Sequence, residues 1–142
     1  MLKKVICCVL LIVILLAGCS ATNTKDVSEL EPNQLVQTYY ESLANKDYIA
    51  AKSCLDEDYA SEIMDLDDSY FNNLKSLKQI TISEPSETQY GDNYQVVQII
   101  AEYNATYKKI ITSHDGNQYR FVNVAKKSQT SAWRIISIGT GP

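Results

Sequence analysis

The residue with the most definite chemistry in this chain is Cys19, which ends the sequence Leu16-Ala17-Gly18-Cys19. Small residues before a cysteine are the pattern that a lipoprotein signal peptidase needs, and the cysteine sulfur is the atom that accepts a diacylglyceryl group. Lys3 and Lys4 give the positive start of such a peptide, and an apolar run follows them. We therefore expect cleavage between Gly18 and Cys19, which leaves a lipidated cysteine at the start of the mature chain.

The apolar run from Val5 to Leu16 could instead be a membrane-spanning helix, and its length decides between the two. As a helix its 12 residues would rise about 18 Å, whereas the hydrocarbon core of a bilayer is about 30 Å thick. The run is too short to span, so we predict a removable signal peptide over residues 1–18. The two acyl chains on Cys19 would then hold the protein to the extracytoplasmic face of the cell membrane.

The mature chain is acidic and fits one domain. The full sequence has 17 acids and 13 bases, and loss of Lys3 and Lys4 leaves 11 bases and a net charge of −6. That sign disfavours binding to nucleic acid and disfavours attraction to an anionic lipid surface by charge. Residues 19–31 are polar and without periodicity, which predicts a lipidated flexible tether. The remaining residues, 32–142, are enough for a single folded domain.

The remaining candidate nucleophiles show no catalytic pattern. Cys7 and Cys8 leave with the signal peptide, so Cys54 is the one free thiol that remains and no intramolecular disulfide can form. Apolar neighbours at helical spacing, without a histidine nearby in sequence, predict that Cys54 is buried and inert. His114 is the only histidine and falls in a predicted turn, where we expect it to be exposed.

An acidic run from Asp56 to Asp68 contains seven acids and no base. At its end, residues 65–69 are faintly similar to a calcium-binding loop. The similarity fails because Tyr70 stands where that loop needs glycine and Ser76 where it needs a bidentate glutamate. We interpret the run as a solvated acidic face. The sequence also lacks a glycine-rich phosphate loop, a paired metal-binding motif and a nucleophile elbow, so we expect no catalytic residue, metal or cofactor.

Helices are predicted to open the domain. Pro32 suits the first turn of a helix, and Asp47 predicts the cap of a second helix from Tyr48 to Leu55. Asp56 or Asp58 predicts the cap of a third. The first helix has one apolar stripe, formed by Leu35, Val36, Tyr39, Tyr40, Leu43 and Ala44.

Strands follow, because the apolar period changes from 3.6 to 2 after about Leu77. Helices followed by an antiparallel meander indicate the α+β class. We predict about four strands, around Ile80–Ile82, Gln95–Tyr107, Tyr119–Ala125 and Ala132–Ile138. On the long second strand we predict a core face of Val97, Ile99, Ala101, Tyr103, Ala105 and Tyr107, with a semi-polar face opposite.

Three segments carry a resemblance to known proteins. They are a helix, an Asn-Lys-Asp corner and a second helix over residues 35–51, the strand Trp133–Ile138, and the ending Gly139-Thr140-Gly141-Pro142. In this order they resemble the nuclear transport factor 2-like superfamily, and the ending looks like that of a Gram-positive lipoprotein family of uncharacterised function. Over residues 32–142 the resemblance implies three N-terminal helices packed on a curved, mostly antiparallel sheet that forms a cone, with Trp133 buried.

The same resemblance implies where a pocket would lie. Enzymes of this superfamily, such as ketosteroid isomerases and dehydratases, hold an acid or a histidine inside the cone beside hydrogen-bond donors. Glu102 would be the carboxylate here. The donors would be Tyr39, Tyr40, Tyr103 and Tyr107. The alternative is an ordinary solvated strand glutamate with tyrosines that fill the core.

We expect a non-catalytic module that binds an extracytoplasmic protein or a small ligand. The ten tyrosines of the chain suit either a half-wet pocket or an interface, because each has an apolar body and a polar tip. Two alternatives remain open. One is a small-molecule enzyme of isomerase or dehydratase type that uses Glu102, and the other is a structural adaptor that forms a homodimer through its sheet.

Overall fold

The computed structural model describes residues 26–65, 69–89, 91–111 and 114–141. In these residues a few helices precede one antiparallel sheet of five strands, which confirms the α+β class. The predicted lipidation residue, Cys19, and the predicted signal peptide lie outside the described residues. The helices are a short 3-10 helix Val27–Glu29, then α1 Pro32–Ala44, α2 Tyr48–Ser53, α3 Glu57–Asp65 and α4 Ser69–Asn73.

The sheet is built around one long hairpin. Strand β3 pairs with β4 without a register shift, from Gln95 opposite Lys126 to Ala105 opposite Gly116. The strand order is β1-β3-β4-β5, and β2 pairs with β3 beside β1. The strands are β1 Leu74–Ile82, β2 Ser86–Thr88, β3 Gln95–Tyr107, β4 Gly116–Lys126 and β5 Arg134–Gly139.

The start of α1 is fixed by local chemistry. The side chains of Glu31 and Gln34 form a capping box, and Pro32 occupies the first turn, where its missing N–H costs nothing. The predicted apolar stripe faces the sheet, and Tyr39 and Tyr40 are among its buried members. After α1 the chain turns at Lys46, whose φ of 62° is left-handed.

The folded domain begins before Pro32. Asp26 caps the 3-10 helix by accepting a hydrogen bond from the Ser28 N–H, and Leu30 is buried in the core. Residues 26–31 were assigned to the tether because their composition is polar. The burial of Leu30 holds this segment on the domain, and the Asp26 cap orders it locally. Neither feature has a period that a sequence pattern can reveal.

The predicted caps of α2 and α3 are confirmed. The Asp47 side chain accepts a hydrogen bond from the Ala50 N–H, and Asp56 accepts one from the Asp58 N–H. Helix α4 was not predicted, because five residues are too few to show a helical period. A tertiary contact supports it: the Tyr48 hydroxyl donates to the carbonyl of Phe71, and the two rings lie 5.4 Å apart.

Strand β1 begins at Leu74, six residues before the alternation that predicted it. Its register against β3 shifts twice, between Leu74 and Ser76 and again between Lys78 and Thr81. Each shift breaks the period of two along the sequence, so only the stretch after the second irregularity was recognisable. Strand β2 adds a fifth strand to the expected four. It was missed for a different reason, because three residues are too few to show an alternation.

One face of the sheet, which we call the inner face, packs against α1 and the connection from α2 to α3. The core holds the predicted apolar face of β3, and it also contains Trp133 and Cys54, both buried as expected. Within the described part of the chain, no helix is both long enough and apolar enough to cross a membrane.

Candidate functional site

The structure does not assemble the predicted pocket. Tyr39, Tyr40 and Tyr103 are buried together on the inner face, where the ring of Tyr40 lies 5.1 Å from that of Tyr39 and 4.8 Å from that of Tyr103. Tyr107 packs against the same core at the end of β3. Glu102 is exposed on the other side of the sheet. The five residues therefore share no cavity.

Glu102 is separated from the tyrosines by the geometry of a strand. Successive side chains of β3 point to opposite faces, so Tyr103 enters the core and Glu102 cannot. Its cross-strand neighbours are Thr81 and Tyr119. A general acid or base works within hydrogen-bond reach of a bound substrate. An exposed carboxylate on an open sheet face holds no substrate in that position.

The tyrosines on the inner face act as packing groups. Their rings contact one another in the edge-to-face and tilted geometries that aromatic pairs prefer. This matches the alternative interpretation of core tyrosines and a solvated strand glutamate.

The opposite side of the sheet, which we call the outer face, carries exposed and half-exposed side chains from neighbouring strands. It joins the second, semi-polar face of β3 to its partners on β1, β4 and β5, as the strand register requires. Its members are Ser76, Lys78, Thr81, Gln98, Ile100, Glu102, Asn104, Thr106, Asn117, Tyr119, Phe121, Asn123 and Ser137.

A row of amide and hydroxyl side chains crosses one end of the outer face. The Gln98 amide donates to the Asn123 Oδ1 at 3.3 Å, and the Asn123 amide donates to the Ser137 Oγ at 2.9 Å. The row spans three strands, and its hydrogen bonds fix the orientation of each amide. Such a row offers ordered donors and acceptors to a bound surface.

A second polar row crosses the other end. The Asn104 amide donates to the Asn117 Oδ1 at 2.9 Å, and the hydroxyls of Ser76 and Thr106 lie 2.7 Å apart. Between the two rows the face carries apolar and aromatic side chains beside the exposed Glu102 and Thr81.

The apolar centre consists of Ile100, Phe121 and Tyr119. Ile100 lies directly opposite Phe121, and the rings of Tyr119 and Phe121 meet at 5.2 Å in a T-shaped contact. Tyr119 keeps 43% of its surface exposed. An aromatic centre between polar rows is the composition of a protein interface, in which a ring supplies contact area and polar groups supply orientation.

A surface depression of about 770 Å³ lies on another side of the molecule, between α2, α3 and the start of β5. Asp56 lines it and makes an ion pair of 2.8 Å with Lys127, whose pKa is raised by the hydrogen bond and charge of Asp56. Ile49, Lys52 and Arg134 also line it. Asp56 pairs with Lys127 and also caps α3, so this acid of the depression has a structural role.

Cys54 and His114 lie where the sequence predicts them, one buried and the other exposed. Burial raises the pKa of the Cys54 thiol to about 11, which keeps the sulfur protonated and unreactive near neutral pH. His114 is exposed. In the described ranges no group of three or more acids, cysteines or histidines could hold a metal ion.

The sequence predicted only the β3 residues of the outer face. The alternation along β3 marks Gln98, Ile100, Glu102 and Asn104 as a semi-polar face. What the sequence did not reveal is the set of partners that complete the rows, because strand register is set by tertiary pairing. Asn123, a polar residue within the predicted strand Tyr119–Ala125, was the available signal, whereas Asn117 fell in the predicted turn before it.

The fold and this surface define an α+β domain with a closed inner face and an exposed, polar and aromatic outer face. Residues 33–139 match the family model described as Domain of unknown function (DUF4829), so the chain belongs to that family. A solution structure of a SEC-C motif containing protein from Rhodopseudomonas palustris is similar over 84% of each chain, at 13% identity and a TM-score of 0.49. No curated protein sequence matches the chain.

Proposed function

We propose that this protein is a lipid-anchored, extracytoplasmic module that binds a protein partner through its outer face and catalyses no reaction. The observation that carries the proposal is the outer face itself, an exposed aromatic centre between two ordered polar rows. An exposed face suits a protein partner better than a small ligand, because small-molecule sites are concave and enclose most of the ligand.

The lipid anchor is supported by the sequence motif that ends at Cys19. Asp26, the first described residue, lies only seven positions after Cys19, so the domain would sit close to the membrane surface. Replacement of the cysteine, Cys19→Ala, removes the sulfur that accepts the diacylglyceryl group. The variant should lose metabolic labelling by fatty acid and remain an uncleaved precursor, and labelling equal to wild type would contradict the anchor.

We also propose the finer architecture of a nuclear transport factor 2-like cone, with the first three helices of the domain held by a curved sheet. Its support is the helix-corner-helix start at Lys46 and the packing of α1 against β1 and β3. An experimental structure in which the sheet curves around α1 would support the cone. A flat sheet with α1 on one edge would contradict it.

The two alternatives differ in their support. The enzyme alternative requires Glu102 inside the cone, whereas this side chain is exposed on the outer face. A homodimeric adaptor keeps its support, because Ile100, Tyr119 and Phe121 could contact a second copy of the same face. The partner's identity therefore becomes the measured outcome of the test.

The test is site-specific photo-cross-linking in intact cells. A photoreactive phenylalanine analogue replaces Tyr119 at the centre of the outer face, and the control places it at Lys52, an exposed residue of α2. We expect an adduct from position 119 that the control does not give and that Asn123→Ala weakens. An adduct with the mass of two copies would identify the adaptor instead. Absence of adducts, or equal adducts at both positions, would contradict binding through this face.

A further inference from the structure

We propose that the end of the β3–β4 hairpin docks on an anionic lipid bilayer, as a second membrane contact that rests on the proposed lipid anchor. We call this region the hairpin end. It consists of Lys46, Lys75, Lys108, Lys109, Ile110 and Ile111. The two isoleucines would enter the lipid interface, and the lysines would contact lipid phosphates.

The isoleucines are the first observation. Ile110 and Ile111 are adjacent and are 59% and 67% exposed. A single exposed apolar residue is ordinary on a protein surface, whereas two consecutive β-branched residues on an exposed connection are an unfavourable arrangement in water. Apolar side chains beside lysines are the composition that partitions into a membrane interface.

The backbone at the base of this connection is held in place by Asn73. Its carbonyl accepts from the Lys108 N–H at 2.8 Å, and its side chain exchanges two hydrogen bonds with the backbone of Lys109, at 2.9 and 2.8 Å. The last residue of α4 therefore holds the backbone immediately before the isoleucines. A backbone held at its base loses less conformational entropy when it enters an interface than a free loop would.

The lysines are the second observation. Leu74 pairs with Tyr107, and because β1 and β3 are antiparallel, Lys75 and Lys108 lie one residue to either side of this pair. Lys46 reaches the same place, because its ammonium donates to the Leu74 carbonyl. Partial burial lowers the pKa of Lys46, and the charge of Lys108 lowers it further. Like charges are thus crowded at one end of an acidic protein.

These lysines are not neutralised by partners within the described residues. The ion pairs found there both belong to Lys127, at the far end of β4. Among the described residues, Asp47 next to Lys46 accepts from the Ala50 N–H, and Asp115 accepts from the Tyr107 N–H. The four lysines of the hairpin end outnumber these two acids, and this excess of positive charge complements an anionic surface.

The anchor makes the bilayer the fitting occupant. Seven peptide steps from Cys19 to Asp26 reach at most about 25 Å, and α1, with 13 residues, adds about 20 Å toward Lys46. A domain that lies along the membrane can therefore bring the hairpin end to the same bilayer that holds the lipid. The anchor keeps that bilayer at a high effective concentration, so even a weak contact forms. A soluble acidic protein has no such advantage.

Charge should set the strength of docking. A lysine near an anionic membrane strengthens binding by roughly fivefold. Replacement of Lys108 and Lys109 by glutamine should therefore weaken the docking equilibrium by about 25-fold, and added salt should weaken it in the same way.

The experiment uses the full, processed protein in vesicles and an environment-sensitive dye on Ile111→Cys. Labelling would be selective, because the Cys54 thiol is buried with a raised pKa and the Cys19 sulfur would be a thioether. The vesicles contain phosphatidylcholine alone or mixed with phosphatidylglycerol. The control carries the dye on Asp92→Cys, an exposed turn residue at the opposite end of β3. Vesicle flotation reports the anchor, and dye emission reports docking.

We expect a blue shift of the position 111 dye only on phosphatidylglycerol vesicles, and loss of most of that shift with Lys108→Gln and Lys109→Gln. A protein that floats while its dye emits equally on both vesicles would overturn docking and leave the anchor intact. An equal shift at position 92 would show nonspecific contact and would also overturn it. Failure to float on either vesicle, with no shift, would refute the anchor and the docking together.

Discussion

The inner and outer faces of the sheet use the same strands for opposite purposes. Ile99 and Ile100 are consecutive residues of β3, yet Ile99 is fully buried in the core and Ile100 lies half-exposed at the centre of the outer face. The inner face is continuous with the helices, whereas the outer face from Gln98 to Asn104 is exposed or half-exposed, and only its end at Val96 and Ala125 is buried. Residues of the same type can therefore stabilise the fold where they are buried and remain available for binding where they are exposed.

The tyrosines make the same comparison at larger scale. Tyr40 and Tyr103 contact each other within the core, and Tyr119 contacts Phe121 on the outer face. Chemically equal rings therefore stabilise the fold on one side and offer a surface on the other. Matched substitutions on the two faces test this difference directly.

The largest effect is expected at Trp133, which is 7% exposed within the core. Trp133→Ala should lower the free energy of unfolding by about 3–5 kcal/mol, because it removes the largest apolar side chain and leaves a cavity. Tyr119→Ala on the outer face should cost less than about 1 kcal/mol. Thermal unfolding of the two variants measures both values. Equal losses would break the distinction between the faces.

The sharpest comparison is one substitution at two neighbouring positions. Ile99→Ala should cost about 2–5 kcal/mol, since the site is fully buried, while Ile100→Ala should cost about 1 kcal/mol or less. Denaturant titration gives both free energies with a common slope. A larger loss at Ile100 would mean that a partner or another element covers the outer face.

A third prediction concerns Cys54 and pH. Cys54→Ala should cost on the order of 1 kcal/mol at neutral pH through a small cavity. Burial raises the folded pKa of the thiol to about 11, above the value of about 8.5 in an unfolded chain. Protonation therefore favours the folded state, and its contribution is complete below about pH 8.5 and is lost as pH rises to about 11.

The measurement is the difference in unfolding free energy between wild type and Cys54→Ala across that pH range, which cancels the groups that both proteins share. The difference should stay constant below about pH 8.5 and shift against wild type above it. Rapid reaction of the folded wild type with a thiol reagent at neutral pH would contradict the buried site.

The smallest effect is expected for Glu102→Gln. The carboxylate is exposed on the outer face, so its loss should change the free energy of unfolding by no more than about 0.5 kcal/mol. Calorimetry of the variant beside wild type measures this. A loss of several kcal/mol would show that Glu102 is held in a buried network and would revive it as a candidate catalytic group.

Local signals in the sequence predicted much of the fold. The caps at Asp47 and Asp56 and the two faces of β3 were found, because capping and alternation act over a few neighbouring residues. Strand β1 was predicted only in part, since its register shifts erase the alternation. Helix α4 and the buried Leu30 depend on contacts with distant residues and have no local pattern.

The candidate site was less accessible to sequence. Glu102 and Tyr103 were placed in one pocket by resemblance, although the period of two that the sequence itself displays puts them on opposite faces. The polar rows of the outer face join side chains from separate strands, such as Gln98 with Asn123 and Asn123 with Ser137. Which strands lie side by side is a tertiary fact.

By itself, the sequence determined the predicted export and lipidation motif at Cys19, the α+β order and the alternating faces, because each is encoded within one short segment. It also gave a net charge of −6 for the predicted mature chain, which predicts no attraction to an anionic surface. Only the tertiary structure gathered Lys46, Lys75 and Lys108 at one end of the molecule. Electrostatic interaction decays within about 10 Å in salt, so the local arrangement of charges, which the fold decides, governs what a surface attracts.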